Sequence, residues 1–139
     1  MFERATTIDG SLVEIGRWAS SLPGDFPVDA ADRDNGITEV TVNGVLLSSG
    51  IQLSGTLQLV EGDGTVDVRS YRFDVRNGPI LVWRHDCHPG HEHEAGMTGL
   101  EHQHIRVGRL EKRIPARRQT LKPLRAKLVG TNLRHAAQK

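Results

Sequence analysis

Residues 51–84 read IQLSGTLQLVEGDGTVDVRSYRFDVRNGPILVWR. Apolar side chains recur at alternate positions through Ile51, Leu53, Leu57 and Leu59, then Val66 and Val68, then Tyr71, Phe73 and Val75. A period of two marks strands with one buried face. The phase slips between Val68 and Tyr71, which predicts a bulge or bend near Arg69-Ser70. Gly62-Asp63-Gly64 and Asn77-Gly78 interrupt the pattern with residues that tolerate positive φ, so each predicts a tight hairpin turn. The run Ile80-Leu81-Val82-Trp83-Arg84 pairs back after the second turn.

Upstream, Val40, Val42 and Leu46 form an earlier extended run, joined to Ile51 through Ser48-Ser49-Gly50. A last short strand is expected at about 102–107. Residues 24–36, GDFPVDAADRDNG, read as an acidic linker rich in turn residues. Before it, Leu12, Ile15, Trp18, Ala19 and Leu22 recur at helical spacing. Ser11 with Glu14 resembles a capping box, and Pro23-Gly24 stops the element, so a helix is expected over about 11–22. Leu121, Leu124 and Leu128 predict a basic amphipathic helix near the C-terminus, despite Pro123. The expected fold is a single α+β domain over 1–139. An antiparallel meander of four to five strands spans 37–107 and includes a His-rich loop at 85–104. An N-terminal helix precedes it, and a basic helical tail covers 108–139.

A chain of 139 residues suits one domain and buries a substantial core. With 37% apolar and 25% charged residues and no long apolar run, a membrane span is not expected. The opening MFERATTIDG lacks a secretory pattern, and the single cysteine, Cys87, excludes an intramolecular disulfide; both fit a cytoplasmic protein. The net charge of +1 conceals an asymmetry. Residues 1–105 hold 7 Lys/Arg against 16 Asp/Glu, whereas 106–139 hold 11 against Glu111 alone. An acidic body with a basic end favours a polyanion partner, or a tail docked on an acidic protein or on the body itself.

Six of seven histidines fall within 20 residues: His85, His88, His91, His93, His102 and His104. Three readings are open. Imidazoles titrate near neutrality and serve as general acid and base, and RNA transesterification needs such a pair with a cation beside the phosphorane. His102, His104 and Arg84 can fill those roles. Alternatively Cys87, His88, His91, His93, His102 and His104 hold zinc or a comparable ion in a non-catalytic binding module. A solvated loop with incidental histidines is the third. Arg84 and Asp86 share one strand face, as a structural ion pair or as a phosphate clamp with a carboxylate that orients a histidine. Tyr71 and Trp83 are expected to pack in the core rather than stack on bases.

Tyr71-Arg72-Phe73, Asn77-Gly78, Arg84-His85-Asp86, Pro89, His91 and Glu101-His102-Gln103-His104 together form an ordered series. Over about residues 53–105 it resembles the TumE-type toxins of bacterial toxin–antitoxin modules. That family shows a Tyr-x-aromatic strand, a turn, an Arg-x-Asp signature, then a proline, histidines and a closing HHxH motif. Here Glu101 stands at the first position of the closing motif, and Cys87 follows Arg-x-Asp where the family has Asn.

The resemblance implies a toxin of a toxin–antitoxin or mobile-element defence locus that acts on RNA. His102 and His104 would be the acid–base pair, Arg84 the phosphate clamp, Asp86 the orienting carboxylate and His91 a further member. A cognate antitoxin would be a partner, and no cofactor is required. Arg106, Arg109, Lys112, Arg113, Arg117, Arg118, Lys122 and Arg125 are the expected contacts to the RNA backbone.

Overall fold

A computed structural model of the chain describes residues 2, 4–87, 101–107, 110–115 and 121–138, with the backbone alone at 101–102, 105–107 and 111–115. Helix α1 (Ile8–Ser20) precedes seven strands: β1 (Val28–Asp32), β2 (Thr38–Val45), β3 (Gln52–Gly62), β4 (Thr65–Asn77), β5 (Ile80–Cys87), β6 (Glu101–Val107) and β7 (Leu110–Pro115). Helix α2 (Leu121–Ala137) closes the order. The strands form one antiparallel sheet in sequence order, β1 through β7. The α+β meander is therefore as expected, with seven strands among the described residues in place of four to five.

Both added strands have a physical reason for escaping the apolar pattern. β1 lies in the segment read as an acidic linker, and only Val28 of its five residues is even half-buried. Backbone pairing holds it, with Ala30 opposite Val40 and Asp32 opposite Thr38, and its acids blunt an exposed sheet edge. β7 lies within the stretch expected to be helical tail. Its pairing with β6, Gln103 opposite Ile114 and His104 opposite Arg113, makes it a strand. Charged residues fill all three positions between Leu110 and Ile114, so the strand leaves no period-two apolar trace.

The turns set the register. Asp63 and Gly64 have φ of +47° and +74°, the left-handed pair a two-residue I′ turn requires. At the next hairpin Asn77 pairs with Ile80, so Gly78-Pro79 is the turn, one residue later than a turn centred on Asn77-Gly78. Gly78, at φ +59°, takes its first central position. Arg69 is the extra residue of the expected bulge, because Gln58 faces Ser70 while Leu59 faces Val68. A second bulge at Val82 shifts the β4–β5 register once more.

Both helices cover one face of the sheet. α1 begins earlier than expected: Thr7, not Ser11, caps it, its hydroxyl accepting from the Gly10 N–H at 3.0 Å. Ser11 is buried within the first turns, and Glu14 Oε1 accepts from the N–H groups of Arg4 and Ala5. α2 runs two turns past Leu128, and Pro123 sits in its first turn, where no helical N–H is needed. Ile15, Trp18, Leu22, Leu124 and Leu128 meet Val40, Val42, Leu57, Leu59 and Phe73 in one core. The Phe73 ring lies edge-on to Trp18 at 5.8 Å between centroids. Gly44 is required where Phe26 crosses β2, since a Cβ there would lie 2.4 Å from the Asp25 carbonyl. Among the described residues, no helix is long and apolar enough to cross a membrane.

Candidate active site on the open face

Alternation along β4 and β5 divides the expected residues between two faces. Tyr71, Phe73 and Val75 pair with Cys87, His85 and Trp83, and all six are buried on the helix side. The Tyr71 and His85 rings are nearly parallel, at 6° and 5.9 Å. Trp83 Nε1 donates to Thr131 Oγ1 of α2 at 3.0 Å, and Lys127 Nζ sits 4.3 Å from the centre of its ring. Tyr71 and Trp83 are thus core aromatics, as expected. Burial pulls the Lys127 pKa down from its usual value, and Arg134 pushes it the same way.

The other face carries the charges. Arg72 and Asp74 on β4 lie opposite Asp86 and Arg84 on β5, which in turn lie opposite His102 and His104 on β6. Arg84 Nε donates to Asp74 Oδ2 at 2.8 Å, and Arg76 Nε donates to Asp74 Oδ1 at 2.8 Å. Asp86 Oδ2 lies 3.5 Å from Arg72 Nε and 3.7 Å from His104 Nε2. Asp86 and His104 are buried, whereas the Arg72 side chain is 48% exposed. The sheet therefore assembles the Asp86 carboxylate beside the His104 imidazole and the Arg72 guanidinium, with Arg84 and Arg76 paired to Asp74 on the same face. Arg84 and Asp86 do share a face, but each meets a partner on β4.

Arg72 and Asp74 were missed from sequence. The signal was present: Arg72 stands between two inward aromatics and so must face outward. Its partner depended on register, because a turn centred on Asn77-Gly78 would have set Arg72 opposite Trp83. Beside these charges, Gln52, Ser54 and Thr56 of β3 line a shallow polar recess with Arg72, Asp74 and Arg76, of about 360 Å³.

The remaining expectations divide. Of the residues read as an alternative metal set, Cys87 is buried on the helix face, whereas His104 lies on the face of Asp86. Among the described residues no group of three His, Cys, Asp or Glu is placed to hold a metal ion. His88, His91, His93, Arg109, Arg117 and Arg118 lie outside the described residues. Arg106 and Arg113 fall at register positions of β6 and β7 beside His104, with Lys112 opposite Ile105. Lys122 and Arg125 belong to α2, on the helix side, and Arg125 Nε donates to Ser21 Oγ at 2.9 Å. Among the described residues of this set, Arg106, Lys112 and Arg113 belong to β6 and β7, and Lys122 and Arg125 to α2.

Comparison with protein-family models, with curated proteins and with solved structures finds no match. The TumE-type resemblance rests on the motifs themselves.

Proposed function

We propose that the open face of β4–β6 is a toxin-like RNA-cleaving site of the kind found in toxin–antitoxin loci. The observation that carries this reading is the β5–β6 register. It sets Arg84 opposite His104 and Asp86 opposite His102, with the Asp86 carboxylate 3.7 Å from the His104 ring. A carboxylate beside an imidazole fixes its orientation and stabilises the imidazolium formed during proton transfer.

In this reading one histidine of the pair His102 and His104 takes the 2′-hydroxyl proton as the oxygen attacks phosphorus. The other gives a proton to the departing 5′-oxygen, and the products are a 2′,3′-cyclic phosphate and a 5′-hydroxyl. Arg84 and the exposed Arg72 supply positive charge to the phosphorane. The polar recess along β3 offers hydroxyl and amide groups to the neighbouring backbone. Because His104 is buried, an opening step precedes chemistry, and single-turnover cleavage slower than RNA binding is its kinetic signature.

The test is RNA integrity after incubation with purified parent and His104→Ala proteins, with and without EDTA. Cleavage that survives EDTA and vanishes in the folded variant supports the reading. Cleavage abolished by EDTA assigns the reaction to a bound metal, and intact RNA in every lane overturns the proposal.

A further inference from the structure

The helix side carries a second site that the RNA reading does not use. Trp18 Nε1 donates to the Leu121 carbonyl at 2.6 Å, which ties the start of α2 to α1. Beside this joint the two helices leave an open cleft of about 580 Å³. Ala5, Val13, Trp18 and Leu121 give it an apolar floor, and Val13 is 53% exposed there. Arg4, Arg17, Lys122 and Arg125 surround that floor. Among the described residues none of the four is in an ion pair, and Arg125 is held only by the neutral oxygens of Ser21. The one carboxylate in the lining, Glu14, is turned to the backbone N–H groups of Arg4 and Ala5.

A cleft of this volume falls within the range of small-ligand sites, roughly 300–1,000 Å³, and an apolar floor under a few convergent polar groups is their usual composition. Four cations that pair with no carboxylate among the described residues select the charge of the occupant. We infer that the α1–α2 cleft binds a small organic anion, an apolar body with a carboxylate or phosphate head. The body lies on Val13 and Trp18, and the head lies among Arg17, Lys122 and Arg125. The cleft and the Arg72 face lie on opposite sides of the sheet, so the two sites stand or fall separately.

The test is an amide and indole chemical-shift titration of the full chain with octanoate, octyl phosphate and 1-octanol. Octanoate or octyl phosphate is expected to produce saturable shifts centred on α1 and the start of α2, including the Trp18 indole N–H. Whichever head group binds more tightly identifies the ligand class. Octanol lacks the charge and should bind at least about tenfold more weakly. Val13→Glu, an exposed change that places a carboxylate on the floor, should abolish the shifts. Arg17→Ala with Lys122→Ala, both exposed positions, should weaken binding roughly threefold or more with the fold retained. Equal binding of octanol and octanoate, shifts spread over the open face, or affinity unchanged in the Arg17/Lys122 variant would each overturn the assignment.

Discussion

The two faces of β4 are one residue apart in sequence and follow different rules. Tyr71, Phe73 and Val75 pack against the helices and are 2% exposed or less. Arg72, Asp74 and Arg76 carry ion pairs on the open side. Burial on the first face removes apolar area from water, which is where most folding free energy arises. Ion pairs on a partly solvated face contribute little to stability. On the proposed reading, the guanidinium, carboxylate and imidazole groups gathered there serve chemistry on a ligand.

The largest effect should come from the apolar face. Phe73→Ala removes a fully buried ring that touches Trp18 and Tyr71, and about 3–5 kcal/mol of stability should be lost in urea unfolding. Asp86→Ala tests the boundary between the faces. It takes away a buried carboxylate beside the half-exposed Arg72 and the buried His104, and a loss of about 1–3 kcal/mol is expected for the partners left unsatisfied. A loss as large as that of Phe73→Ala would show that the open face is itself part of the folding core.

How much of this division was legible depends on the kind of force involved. Alternation around Tyr71 and Phe73, the slip at Arg69, and the leucines of α2 all reflect burial, which leaves a periodic trace in sequence. β1 left none, because pairing of peptide groups holds it and four of its five side chains are exposed. The pairing of Asp74 with Arg84 was also hidden. It requires the turn at Gly78-Pro79 and the bulge at Val82 together; without the bulge, Asp74 would stand opposite Trp83. Arg84, Asp86 and His104 could be named from their motif, while the partners that fix their geometry are decided by register.

Smaller effects sharpen the same contrast. Gly64→Ala, at φ +74°, should cost about 1 kcal/mol in thermal or urea unfolding and leave RNA cleavage unchanged. Arg72→Ala should do the reverse. Its half-exposed ion pair is worth under about 1 kcal/mol to folding, yet cleavage should fall by roughly tenfold or more. The smallest effect concerns Lys127, whose pKa burial lowers in the folded state. Between that lowered value and the unfolded value the unfolded chain binds more protons, so stability should rise with pH across this alkaline window. Lys127→Met should flatten that rise, as read from urea midpoints at a series of alkaline pH values.

The chemistry of the RNA ends tests the central claim most directly. Fragments produced by the parent protein in EDTA should carry 2′,3′-cyclic phosphate and 5′-hydroxyl ends when read by mass spectrometry. They should be absent from reactions with His104→Ala protein and roughly tenfold or more scarcer with Arg72→Ala protein, both of parent-like fold. Fragments with 3′-hydroxyl and 5′-phosphate ends, or cyclic-phosphate ends formed equally well by both variants, would contradict a histidine acid–base site on the open face.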